Sequence, residues 1–191
     1  QGSFAISETQ LVSVGYETEE SESGNDDATI DGAFALYRFE PSENVTLSFG
    51  VRRDDHDTYG SETVSRFAAA WQVSESLLLH SSWGEGFKAP TLFQTTFFCC
   101  GATSANTGLK AEYSDAYDVG MSFEFADGDA LISATYFDQN TQDLINFSFA
   151  VGGYENIAEV DSNGVELEFS YALSDAWTVA TNLTYLDSED G

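Results

Sequence analysis

The densest run of possible metal ligands is Arg53-Asp54-Asp55-His56-Asp57. Three carboxylates and an imidazole are donors that can hold Ca²⁺ or a transition metal. The EF-hand order, with its turn glycine and closing glutamate, is absent. The chain carries 33 Asp+Glu, so acid clusters arise by chance, and this run reads as a solvated loop beyond a strand end. Cys99 and Cys100 are the two cysteines and are adjacent. A zinc site would need two more ligands, and His56 and His80 lie elsewhere in the sequence. A disulfide in an exposed loop is the reading taken; one between these two neighbours would close only through a strained ring. Glu124, Glu166 and Glu168 raise glycoside chemistry, which needs paired carboxylates. On the polar faces of strands around a wide hydrated space they read as solvated. There is no Ser/His/Asp order, phosphate loop or zinc motif. No catalytic residue, metal or cofactor is assigned, and the chain is not read as an enzyme.

Two further groups bear on binding. Phe93, Phe97, Phe98 and Tyr154 fall in the two longest loops. Loop aromatics either grip a large, partly apolar ligand or pack loops against one another, and the sequence leaves both open. Lys88 and Lys110 are two of only six basic residues. They read as ion-paired to neighbours such as Glu85 or Glu112, holding the base of a loop.

The elements that must position these groups are strands. The apolar period is two. Val45, Leu47, Phe49 and Val51 oppose Thr46, Ser48, Gly50 and Arg52. Tyr117, Val119, Met121, Phe123 and Phe125 alternate with polar residues. So do Val165, Leu167, Phe169 and Tyr171, and so do Trp177, Val179, Leu183 and Tyr185. Further strands are expected over 11–19, 30–39, 63–73 and 77–83, and over 130–137 without a decisive face. That makes about nine, with a tenth in 144–151. The connections alternate short (40–44, 74–76, 126–129, 173–176) and long (20–29, 53–62, 85–113, 138–157). Aromatics stand by the short turns: Phe39, Trp71, Phe125, Tyr171 and Trp177. Alternation alone does not say which face is inside, because a soluble β-sandwich gives the same string. Loop asymmetry, strand lengths near ~9–11 residues and the aromatics favour a transmembrane barrel.

Composition agrees. A formal net charge of -27 repels a phosphate backbone, so nucleic-acid binding is excluded, as is a basic lipid-binding patch. Hydrophobic residues at 42% supply too much burial material for disorder. No apolar run approaches the roughly 18 residues of a spanning helix. No signal peptide is readable after Gln1-Gly2-Ser3, and the chain stops in the acidic run Asp187–Gly191. Both ends read as cuts within a larger protein.

Specific motifs then narrow the class. The stretch Trp83-Gly84-Glu85-Gly86-Phe87-Lys88-Ala89-Pro90-Thr91-Leu92-Phe93-Gln94 resembles the S-x-G-F-K-A-P-T-L-x-Q signature of TonB-dependent outer-membrane receptors. Asn106-Thr107-Gly108-Leu109-Lys110-Ala111-Glu112-Tyr113-Ser114 is similar to that family's N-P-x-L-K-P-E-x-S. Thr107 and Ala111 depart from it where the family has proline, which frees φ before the strand. Tyr136-Phe137-Asp138 through Asp143-Leu144-Ile145 resembles a third signature. Tyr154-Glu155-Asn156-Ile157-Ala158 with Asn163-Gly164-Val165-Glu166 resembles a fourth. The wording is nearest the vitamin B12 (cobalamin) receptor branch, and siderophore receptors share it.

The resemblance implies an all-β antiparallel meander of about nine to ten strands, residues 1–191 being part of a 22-stranded plugged barrel. It implies that the plug domain and the C-terminal strands lie outside this chain. It places the protein in the outer membrane of a Gram-negative-type cell, in contact with lipid. It implies import of cobalamin or a ferric chelate, driven by TonB through the missing N-terminal part. A passive porin-like barrel and a soluble acidic β-sandwich are the competing readings.

Overall fold

The computed structural model describes residues 1–24, 26–157 and 159–190. Ten strands form one antiparallel sheet in chain order. They are β1 (Gly2–Ser7), β2 (Gln10–Ser23), β3 (Asp26–Ser42), β4 (Val45–His56), β5 (Gly60–Ser74), β6 (Leu77–Lys88), β7 (Glu112–Phe125), β8 (Ala130–Gln142), β11 (Glu159–Ser174) and β12 (Trp177–Asp190). A short helix, α1 (Leu92–Thr96), lies between β6 and β7. A separate hairpin, β9 (Ile145–Ser148) with β10 (Gly153–Asn156), lies between β8 and β11, which pair with each other past it. The sheet is not closed: β1 and β12 are its two ends.

Cross-strand register puts most of the large apolar residues on a single face, with Phe34, Leu36, Leu78, Leu131 and Phe137 on the other. Tyr37, Phe49, Phe67, Trp83 and Tyr117 follow one another across β3 to β7. Met121, Ala134, Leu167 and Leu183 do the same across β7, β8, β11 and β12. Among the described residues no second layer covers this face, and Phe49, Met121, Leu167 and Leu183 all stand exposed. A β-sandwich would bury these side chains against a facing sheet. An uncovered apolar band on a single sheet is the outer wall of a transmembrane barrel. Tyr117 and Phe125 bound the band on β7, and Tyr185 and Trp177 bound it on β12. Eight residues of strand between such pairs span ~26 Å along the strand and ~20 Å along the barrel axis at a ~40° tilt. That matches an apolar band about 25 Å tall between aromatic girdles. Beyond the upper girdle the same face turns polar, with Glu85 opposite Asp115 and Asn163 opposite Asp187.

The inner face is polar and is shaped by glycine. A Cβ at Gly120 would meet His80 Nε2 at 2.5 Å and Thr135 Oγ1 at 2.6 Å. A Cβ at Gly164 would meet Tyr185 O at 2.2 Å and the Phe137 ring at 2.7 Å. The 130–137 segment shows no decisive face because Leu131 and Phe137 stand on the inner face and Ile132 and Tyr136 on the outer. Large inner side chains lie over neighbouring strands where no Cβ stands.

The lower rim is built from tight turns. Ser7, Ser74 and Ser174 each accept the backbone N–H two residues on, at 3.3–3.4 Å. This local bond competes with the ladder and turns the chain. Adjacent turns are tied together, as Glu40 N to Thr9 O at 2.9 Å and Gln72 N to Asn44 O at 2.8 Å.

The upper rim differs from the sequence expectation. Residues 20–29 and 53–62 are largely strand, with turns only near Gly24 and at Asp57–Tyr59. These extensions are acidic on both faces, so they carry no apolar period. Backbone pairing defines them instead. Strand β1 adds a tenth member to the sheet that the sequence reading did not place, and the 144–151 strand belongs to the separate hairpin.

Candidate functional site

The four sequence motifs meet in one knot above the sheet. Gly86, Phe87 and Lys88 finish β6, with Phe87 packed on Tyr113 at a ring separation of 5.5 Å. Lys88 Nζ donates to Glu112 Oε1 at 2.7 Å, and the same oxygen accepts the Ile145 N–H at 3.3 Å. Glu112 thus joins β6, β7 and the β9–β10 hairpin, and it is only 8% exposed. Lys110 pairs with Asp143 at 3.3 Å rather than with a near neighbour in sequence. Asn156 closes the knot: its Oδ1 accepts the Lys110 N–H at 2.9 Å, and its Nδ2 donates to Lys110 O and Asp143 O. Leu109, Ala111 and Ile145, with Ala130, are the buried apolar residues among those described. The chain therefore concentrates its small water-excluded core at the base of its loops.

Helix α1 is positioned by a capping box. Pro90 has no N–H to extend the β6 ladder. Thr91 Oγ1 then accepts the Gln94 N–H at 3.2 Å, and Gln94 Oε1 accepts the Thr91 N–H at 2.9 Å. Ala89-Pro90-Thr91-Leu92-Phe93-Gln94 is thus a strand stop followed by a helix start. The helix reaches the upper parts of β2 and β3 and also β10. Its loop therefore crosses the concave side of the sheet.

That crossing assembles an aromatic cluster. Phe93 and Phe97 lie 5.0 Å apart, and Tyr154 stands 6.1 and 6.2 Å from them. Phe147 lies 5.7 Å from Tyr154 and 6.1 Å from Phe97, and Phe149 meets Phe147 edge-on at 4.9 Å. Such tilted and edge-on rings favour contact through the aromatic quadrupole. Phe98, grouped with them from sequence, instead makes a backbone bridge to Gly153 and belongs to no ring pair among the described residues. Phe147 and Phe149 were missed because the sequence placed them in a barrel strand. The available signal was their period of two with Ile145, ending at Gly152-Gly153. Phe149 is 80% exposed and Phe93 55%, so the cluster offers apolar ring surface at the mouth. Cys99 and Cys100 are joined by a disulfide at its edge.

The other candidates lie apart. Asp54 is held by Arg52, whose Nε donates to both carboxylate oxygens at 2.9 Å. Asp55 lies on the opposite face of β4. His56 is buried and accepts the Thr58 N–H at 3.0 Å through Nδ1, with Tyr59 packed edge-on at 4.9 Å. Asp57 accepts the Thr29 N–H at 3.0 Å, which holds its carboxyl below the usual aspartate range. Among the described residues, no three His, Cys, Asp or Glu converge as metal ligands. Glu166 and Glu168 face Thr, Ser and Asn across the strands, and Glu124 lies opposite Leu131. Burial and the nearby Glu62 push the Tyr113 phenol up. Ala158, within the fourth motif, lies outside the described residues.

A family model described as TonB dependent receptor-like, beta-barrel, matches residues 6–191. The vitamin B12 transporter BtuB of Vibrio cholerae is 29% identical over 147 residues, covering 76% of this chain and 23% of its own. BtuB of Photobacterium profundum is 36% identical over 72 residues, 38% of this chain and 11% of its own. The siderophore receptor PirA from Pseudomonas aeruginosa superposes with a TM-score of 0.86 at 22% identity, covering 97% of this chain and 38% of that one. The FrpB iron transporter from Neisseria meningitidis gives 0.74 at 18% identity, covering 98% and 35%. The chain thus spans about a quarter of the length of the curated relatives it matches.

Proposed function

The chain belongs to the TonB-dependent receptor-like β-barrel family, and we propose that it is the wall and part of the mouth of an outer-membrane importer. The complete protein captures a large scarce nutrient, cobalamin or a ferric siderophore, and moves it inward with TonB-supplied energy. The observation that carries this reading is the mouth itself. Five aromatic rings from two loops are gathered over the concave side of the sheet and anchored on the Lys88–Glu112–Ile145 contact, whose Glu112 and Ile145 are buried.

Rings held this way suit a bulky, partly apolar ligand, because their ordering is complete before binding. A passive pore gains nothing from such a cluster. Cobalamin is the first cargo proposed, since the sequence relatives reported above are vitamin B12 transporters. Wall and mouth divide the work. The apolar outer face seats the barrel in lipid, and the inner polar face leaves room for a plug carried elsewhere in the complete protein. TonB acts through that plug, so this chain's own residues hold the ligand and perform no bond chemistry.

The test is corrinoid binding to the complete, detergent-purified receptor, with a ferric siderophore as competitor. Saturable cobalamin binding that the siderophore does not displace supports the reading. Siderophore binding alone replaces the cargo and keeps the importer. A folded barrel that binds neither overturns the ligand-capture role of the mouth.

A further inference from the structure

The turn Phe98–Ala102 is fitted onto the β9–β10 hairpin with unusual closeness. Phe98 bridges to Gly153, Cys99 N donates to Gly152 O at 2.7 Å, and Ala102 N donates back to Cys99 O at 3.0 Å. A Cβ on Gly152 would meet Cys99 O at 2.2 Å and the Ala102 Cβ at 2.9 Å. The two loops therefore touch backbone to backbone, and Gly152, at φ +67, is the residue that allows it. This docking needs one particular turn shape. Cys100 sits at φ 61 and Gly101 at φ 104. The left-handed region suits glycine, but a non-glycine residue leaves it unless something holds it there. At Cys100 two features hold it: the Ala102–Cys99 hydrogen bond that closes the turn and the covalent ring of the Cys99–Cys100 bond.

We propose that the Cys99–Cys100 disulfide is a thiol-cleavable latch that fixes the aromatic loop onto the β9–β10 hairpin. Cys100 is exposed while Cys99 is half-buried, so a soluble thiol reaches the Cys100 sulfur first. An incoming thiolate attacks Cys100 Sγ and forms a mixed disulfide. The S–S bond breaks, and Cys99 leaves as a thiolate and takes up a proton. A second thiol then releases Cys100 as a thiol and departs as the oxidised disulfide of the reagent. Two electrons and two protons pass from two thiols to the pair, and the reverse reaction restores the latch. With the ring open, Cys100 leaves the left-handed region and the turn changes shape. The Cys99–Gly152 and Phe98–Gly153 contacts are then lost. Phe97, which precedes the turn and touches Phe93, Phe147 and Tyr154, loses its fixed position. The latch does not depend on which cargo the mouth takes.

The test uses the complete detergent-purified receptor. Iodoacetamide labelling of the Cys99–Cys100 peptide is read by mass spectrometry before and after incubation with dithiothreitol, a soluble thiol reductant removed before labelling. Hydrogen exchange is then followed over 97–102 and 145–156. No label is expected before reduction and two labels after it. Exchange in 97–102 should rise on the order of tenfold, the factor that a released left-handed preference is worth. The double variant Cys99→Ser/Cys100→Ser should exchange like the reduced protein without any reductant, while the β3–β8 strands stay protected. Labelling before reduction overturns the proposal. So does a reduced protein, or a double variant with an intact barrel, whose 97–102 exchange matches the oxidised form.

Discussion

Arginine at Met121 and arginine at Ser122 should have sharply different costs, although the two positions are adjacent. Met121 is on the apolar face, 42% exposed, with Leu79 and Ala134 as cross-strand neighbours. It stands four residues from Tyr117 and four from Phe125, so ~13 Å along the strand from each girdle and ~10 Å along the barrel axis at a ~40° tilt. That is the middle of the lipid band, where an outward arginine costs about 2–4 kcal/mol. Ser122 faces the interior between Leu78 and Ser133, and its hydroxyl lies 2.9 Å from that of Ser133. Arginine there reaches water and forfeits one hydrogen bond, about 1 kcal/mol. The assay is urea unfolding of the complete receptor folded into lipid vesicles, with heat-modifiable gel mobility reporting the folded fraction. Met121→Arg should lower the midpoint clearly and Ser122→Arg only slightly. Equal costs, or the reverse order, would refute the assignment of the apolar face to lipid.

Three further outcomes follow from the loop geometry. Glu112→Ala leaves the buried Ile145 N–H without its acceptor and Lys88 without its partner, a local cost of roughly 1–3 kcal/mol. Hydrogen exchange at 145 and 109–112 should accelerate, and Glu112→Gln should recover most of the protection. Phe97→Ala removes the ring that contacts Phe93, Phe147 and Tyr154, and ligand affinity should fall about tenfold or more by equilibrium binding. Asp57 has a lowered folded pKa, chiefly because it accepts the Thr29 N–H. Its contribution is complete above the ordinary aspartate value near 3.8 and is lost as pH falls through the lower folded value. Thr29 amide protection should hold at neutral pH and drop only in strong acid, and Asp57→Asn should remove that pH dependence.

How much of this was legible follows from where the hydrophobic signal lies. Within the apolar band one strand face is apolar and the other polar, so the period of two makes β4, β7, β11 and β12 readable. Above the band both faces meet water. Residues such as Glu19, Glu20 and Glu22 on β2 therefore carry no pattern, and their strand extensions looked like loops. Strand β1, with Phe4 and Ile6 two apart in only six residues, gave too short a pattern to place. The ion pair Lys88–Glu112 was readable because both partners sit in recognisable motifs. Lys110 finds Asp143 across 33 residues, a contact fixed by the docking of two loops rather than by spacing. Phe93, Phe97 and Tyr154 stood out as aromatics in polar loops. Phe147 did not, because its alternation with Ile145 is the same for a loop hairpin as for a barrel strand.

Energised import by the complete protein, as proposed, is tested most directly by cellular uptake. Cells lacking their own cobalamin receptor would express the complete protein with TonB intact or deleted, and accumulation of labelled cobalamin would be followed. Accumulation that saturates at low ligand and vanishes without TonB is the predicted result. Uptake that persists without TonB and rises linearly with concentration would contradict it and leave a passive pore.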